Sequence, residues 1–225
     1  ERAGGDPGFP GLYGPKTLGT KAQPKRLTFL ETEGWAKCDD TTRAAFTSYL
    51  EQLRNIGVDI VTRNDSKLAN DFEVKISDAV RLCREICSFE LRWILRQYRE
   101  TEKLSDELTI WVEMAEKLTL EDYRMALATR AHMRQALAEV APTTDAFITL
   151  ASVGPAPDID FHADSGEAEY AFLTGDPAFN AATSALGAPA ITLPKIAVNG
   201  MPLGVQVIGA PHRDWELTNL SLIHI

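Results

Sequence analysis

The chain has 225 residues, of which 44% are hydrophobic and 24% charged, a composition ordinary for a globular protein and long enough to bury a full core. Its 23 basic and 32 acidic residues give a net charge of −9, which argues against nucleic acid as the main partner, because phosphate binding wants a basic surface. No apolar run approaches the ~20 residues of a membrane span, and the opening residues carry no signal-peptide pattern. Cys38, Cys83 and Cys87 make no disulfide framework, so a reducing, cytoplasmic setting is expected.

Residues 4–24 are dense in Gly and Pro and read as a loop or connector. Arg26 to Glu31 reads as a strand. Trp35 and Cys38 follow in a loop, and Asp39 or Asp40 then caps a helix whose apolar face is Phe46, Tyr49, Leu50, Leu53 and Ile56. Gly57 stops that helix and Val58 to Val61 makes the next strand. Such a unit predicts a right-handed parallel crossover and an α/β sheet. From Asp71 to about Arg99 one helix is expected, with Phe72, Ile76, Ala79, Val80, Cys83, Ile86, Cys87 and Ile94 on its inner stripe. Ser105 opens another. Thr119, with Asp122 three residues on, opens a third that runs to about Val140 on a stripe of Tyr123, Ala126, Leu127, Met133, Leu137 and Val140.

Asp145 to Leu150 returns to strand, and Asp158 to Glu169 reads as an acidic surface loop. Asp176-Pro177 predicts a helix start and Gly187 its end. Pro189 to Pro194 and Pro202 to Gly209 read as two strands joined by the turn dipeptide Asn199-Gly200. The second carries Leu203, Val205, Val207 and Ile208 in a nearly continuous apolar run, which predicts cover on both faces.

Two charges continue apolar stripes: Glu90 on the helix of Cys83, Cys87 and Ile94, and Arg130 on that of Tyr123, Leu127 and Met133. An unpaired buried charge costs several kcal/mol, so either a buried pair across packed helices or a place at the substrate cleft is expected for them. Cys83 and Cys87 stand at i, i+4 without the two further ligands that zinc normally takes, so no metal site is expected. His162, Asp164 and Ser165 have the letters of a catalytic triad but crowd together on one acidic loop. His132 and His212 read as solvated. Gly4 to Gly8 lacks the Lys-Ser/Thr of a phosphate-binding loop.

The carboxyl-terminal fifth resembles the amidase signature family, serine hydrolases of carboxamides. The residues that carry the resemblance are Ser184-Ala-Leu-Gly187-Ala-Pro189-Ala, Leu193-Pro194, Gly200-Met-Pro202-Leu-Gly204-Val-Gln206-Val-Ile-Gly209 and Asp214. Gly4-Gly5-Asp6-Pro7-Gly8, Phe89-Glu90-Leu91 and Asp122-Tyr123-Arg124 are similar to the family too, so the likeness covers nearly all of residues 1–219. It implies a mixed, largely buried sheet flanked by helices, incomplete at both ends, with a helical insertion over residues 71–140. It also implies a Ser–cis-Ser–Lys triad on a Gly-Gly-Ser-Ser-Gly-Gly-like loop, and no cofactor. No serine of this sequence stands among clustered glycines.

The expectation is therefore the carboxyl-terminal part of an amidase, inactive by itself, whose nucleophile lies upstream. The alternative is a catalytically silent relative that serves in binding or assembly. The resemblance places residues 180–189 beside the catalytic loop, which makes Asn180 and Ser184, on one helix face, candidates for bordering a small-molecule amide; Glu90 and Arg130 are the other two. Homo-oligomerisation stands open. The closing Leu220-Ser-Leu-Ile-His-Ile225 matches CTG TCT CTT ATA CAC ATC, a transposon adapter sequence read in frame, so residues 220–225 are expected to be a non-native tail.

Overall fold

The computed structural model describes residues 23–156 and 175–221. The glycine-rich opening, the acidic loop with His162, Asp164 and Ser165, and the last residues of the tail lie outside them. Five strands, β1 (Arg26–Phe29), β2 (Asp59–Val61), β3 (Ala146–Leu150), β4 (Ala190–Val198) and β5 (Met201–Ile208), form one mixed sheet in the order β2-β1-β3-β5-β4. The helices are α1 (Gly34–Lys37), α2 (Asp40–Asn55), α3 (Lys67–Ile76), α4 (Ala79–Glu100), α5 (Asp106–Lys117), α6 (Leu120–Val140), α7 (Asn180–Leu186) and α8 (Asp214–Ser221).

The predicted strand–helix–strand unit is present. Asp39 caps α2 by accepting from the Thr42 amide, and β2 pairs parallel with β1, Leu27 opposite Ile60. β3 joins the other side of β1, again parallel, while β5 runs antiparallel between β3 and β4. The β4–β5 hairpin turns at Asn199 and Gly200, both at positive φ (51° and 80°), the pair that a tight hairpin of the primed kind requires.

Alternation along the strands divides the core into two layers. Leu27, Phe29, Ala146, Ile148, Leu150, Leu203, Val205 and Val207 meet Phe46, Tyr49, Leu50 and Leu53 of α2 on one face. On the other, Phe147 and Ile208 meet α3, α4, α6 and α7 through Phe72, Ile76, Leu82, Met133, Leu137 and Leu186. β5 is thus covered on both faces, as its unbroken apolar run requires. β4 is one of the two edge strands, interrupted between Leu193 and Ile196 by a register shift at Pro194 and Lys195, residues that discourage further strand pairing.

Trp35, read as loop, lies in α1, and Ile56, read on the apolar face of α2, is 62% exposed; three larger expectations also change. The helix read over 71–99 is two helices. Ser66 caps α3 from its side chain, and the chain breaks at Ser77 and Asp78, where the Ser77 hydroxyl bonds back to the Val74 carbonyl. α4 then receives its cap from elsewhere in the chain, the Val80 amide donating to the Glu33 carboxylate (3.1 Å). Second, Cys87 and Ile94 are exposed; the inward face of α4 is Ala79, Leu82, Ile86 and Phe89. Third, Asp176 and Pro177 form a turn before α7 instead of its first residues, with the Asp176 carboxylate accepting from the Ala178 amide (2.9 Å). Gly187 ends α7 at φ 62°, as a C-terminal glycine does.

Candidate functional site

The crossover from β1 to β2 runs through α2 on one face, and the return from β2 to β3 runs through α3 to α6 on the other. The direction of winding therefore reverses between β1 and β3, and the crevice outside the carboxyl ends of those strands is where α/β sheets place ligands. Leu30 to Gly34 and Ala151 to Gly154 leave the sheet there. A separate groove of about 490 Å3, lined by Ala141, Asp145, Gly209, Pro211 and Arg213, lies at the opposite strand ends and includes none of the four predicted residues.

The loop after β1 is held by every neighbour it has. Leu30 donates its amide to Ile148 (3.0 Å) and accepts the Thr149 hydroxyl (2.7 Å). Thr32 sits at φ 51°, and its hydroxyl donates to the Ala178 carbonyl (3.1 Å) while accepting from the Gly34 amide (3.1 Å). The Glu73 carboxylate of α3, only 3% exposed, accepts from the amides of Glu31 and Thr32. Phe179, fully buried, lies against Gly34.

Burial pushes the Glu73 carboxyl up to about 7, against the pull of those two amides; Glu31 raises it further and Arg63, which pairs with Glu31 at 3.6 Å, lowers it. Between the ordinary glutamate value and 7 the folded chain holds a proton that the unfolded chain has released. Stability therefore falls as pH rises through that window, by a few kcal/mol at most. Asp39, Asp65 and Asp122, held low by threonine hydrogen bonds, titrate below the ordinary aspartate value and leave the window clear. Chemical denaturation from pH 4.5 to 8 is expected to show this decline in the parent sequence and a flat profile in Glu73→Gln; parallel profiles would refute it.

Asn180 occupies the first position of α7 and ties it to two strands. Its Nδ2 donates to the Ala151 carbonyl (3.0 Å), and its Oδ1 accepts from Nε2 of Gln206 (2.7 Å), whose Oε1 accepts the Thr183 hydroxyl (3.0 Å). Ser184 lies exposed one turn on, so Asn180, Thr183 and Ser184 line the polar side of α7 while Ala181, Ala182, Ala185 and Leu186 are buried.

Glu90 and Arg130 do not form the buried pair expected of them. Glu90 is exposed and accepts the Tyr123 hydroxyl (2.7 Å), above a Phe89–Tyr123 ring stack with centroids 4.3 Å apart. Arg130 is half-buried and lies near enough to Cys83, Cys87 and Tyr123 to lower all three groups. The cost of desolvating an unpaired charge is avoided because Glu90 is at the surface. Cys83 donates to the Ala181 carbonyl (3.3 Å), which links the α4–α6 seam to α7. Burial raises Cys83 to about 11, and partial desolvation with the nearby Glu90 raises the surface thiol of Cys87, so both stay protonated near neutrality and are poor ligands and nucleophiles. Among the described residues no group of His, Cys, Asp and Glu could hold a metal ion.

Sequence reasoning missed Glu73, Thr32 and Glu33. Glu73 had a signal, since it shares the stripe of Ala69, Phe72 and Ile76; the other two act through distant partners and had none.

The Amidase family model matches residues 14–218. Among solved structures, an amidase superposes with a TM-score of 0.73 at 22% identity, over 91% of this chain and 45% of its own. The Kluyveromyces lactis allophanate hydrolase gives 0.65 at 16% over 91% and 33%, and a 6-aminohexanoate cyclic dimer hydrolase gives 0.62 at 18% over 92% and 46%. No curated protein matches by sequence. The chain spans less than half the length of these structures. With a family match over most of its length and a sheet of the corresponding topology, the chain belongs to the amidase family.

Proposed function

We propose that this chain is the carboxyl-terminal part of an amidase that cleaves the C–N bond of a small carboxamide through a serine acyl-enzyme. The observation that carries the reading is the family match over residues 14–218 combined with a span of under half the related structures. The resemblance supplies the mechanism. A serine from polypeptide outside this sequence attacks the amide carbonyl, and a lysine takes its proton through a bridging serine. The C–N bond breaks with that proton passing to the departing amine, and water then releases the acid.

This chain's part is to shape the pocket. Asn180 and Ser184 present the polar side of α7 to the substrate, Asn180 fixed by Gln206 and by the Ala151 carbonyl. Glu90 and Arg130, farther along the α4–α6 seam, are the other two residues assigned to the pocket. Ammonia release from simple carboxamides tests the reading. The parent carrying the upstream half is expected to be active and the 225-residue chain inactive. Turnover by the short chain alone would refute the placement of the nucleophile, and a parent with neither the glycine–serine loop nor activity would make the protein a silent partner in binding or assembly.

A further inference from the structure

Among the described residues, α4 is the one element that α5 packs against broadly. The buried side chains of α5, Val112 and Ala115, and Leu95 of α4 belong to neither of the two core layers. On α4, Ser88, Arg92, Leu95 and Arg99 recur at four, three and four residues, so they share one face of the helix. Arg99 pairs with the Glu116 carboxylate of α5 at 2.7 Å and Arg96 with the same group at 3.4 Å, which turns that face toward α5.

Two polar atoms on this face have no hydrogen-bond partner. Ser88 is 0% exposed with its Oγ unpaired. The Nε of Arg92 is covered and unpaired too, while its guanidinium carbon rests 3.8 Å over the Phe89 ring. A polar group buried without a partner forfeits the bond it made to water, so both atoms work against the docked position of α5. The turn into α5 carries strain as well. The Glu102 amide donates to Arg99 (3.1 Å) and the Lys103 amide to Tyr98 (3.0 Å), a Schellman end that sets Glu102 at φ 56°, where glycine is the usual residue.

We infer that α5 is a detachable strap, which undocks from α4 as a unit while the sheet, α3, α6 and the first half of α4 stay folded. Undocking gives Ser88 and Arg92 to water and lets Glu102 leave the left-handed region. What it gives up is the small cluster of Leu95, Val112 and Ala115 and ion pairs at the surface, which contribute little. A 12-residue helix without tertiary contacts is marginal in water, so α5 unravels as it leaves. Helix α6 has no such exit, because Ala126, Met133, Ala136, Leu137 and Val140 are buried in the layer beneath the sheet.

Native-state hydrogen exchange of the 225-residue chain tests this at the amides of residues 110–117 and 130–140. Those of α5 are expected to exchange at least ~100-fold faster than those of α6, and with little dependence on low denaturant, as a local opening that exposes little surface does. Ser88→Ala is expected to slow exchange in α5 about fivefold or more, because it removes a hydroxyl that only docking buries unpaired. The better helix propensity of alanine cancels, since α4 is helical whether or not α5 is docked. Exchange in α5 that matches α6 in rate and denaturant dependence overturns the proposal. So does an α5 that exchanges equally fast or faster in Ser88→Ala, the result that a water bridging the hydroxyl would give.

Discussion

Phe179→Ala is expected to lower the free energy of unfolding by about 3–5 kcal/mol, the largest single-residue loss foreseen in this chain. The ring is wholly buried, in the core layer that also holds Phe29, Phe46 and Leu150, and it adjoins the turn that precedes α7. Truncation removes the transfer energy of a phenyl group and leaves a cavity among the packed side chains of that layer. A domain of this size shifts its midpoint by roughly 2–4 °C per kcal/mol, so thermal melting should move down by about 10 °C. A shift under ~3 °C would mean that the ring is not wedged as described. The effect should also reach Asn180, the next residue, so amide exchange in 176–186 should accelerate more than in α6.

Gly34→Ala attacks the same contact from the other side. A Cβ at position 34 would sit 2.5 Å from Cδ2 and 2.6 Å from Cε2 of Phe179, far inside van der Waals distance. The ring cannot swing clear, because it is enclosed, and the Gly34 amide is committed to Thr32 Oγ1. Overpacking of this kind costs about 3 kcal/mol. Because the two residues touch, their changes should not add. Gly34→Ala combined with Phe179→Leu is expected to be more stable than the sum of the singles by about 1 kcal/mol or more in denaturant melts. Strict additivity would place the clash elsewhere.

Much of this architecture was legible in the residues because its signals are local. Asp39, Ser105 and the Thr119–Asp122 capping box each satisfy amides within three residues, and Asn199-Gly200 closes a hairpin with no outside help. The break at Ser77 and Asp78 was not legible. The apolar period runs through it, and the α4 amide that needs a cap is served by Glu33, 47 residues away. The same limit misplaced Cys87 and Ile94. A helix that is apolar on two sides presents one continuous stripe to a periodicity argument, and only the position of α5 and α6 decides which side is inward. At the site, the side-chain types were readable and their pairing was not. Glu90 and Arg130 were matched as charges, whereas the fold gives Glu90 a phenol hydroxyl and sets Arg130 beside two thiols.

The loop after β1 has a consequence for how the polypeptide is made on the ribosome. Residues 30–34 leave the exit tunnel well before their partners, which are Glu73, Val80, Ile148, Thr149 and finally Ala178, 146 positions beyond Thr32. A nascent chain therefore carries this knot untied until Ala178 has emerged, with the left-handed Thr32 backbone free to relax in the interval. Synthesis that stalls before Ala178 would release a product whose α2 layer is formed and whose loop after β1 has never closed.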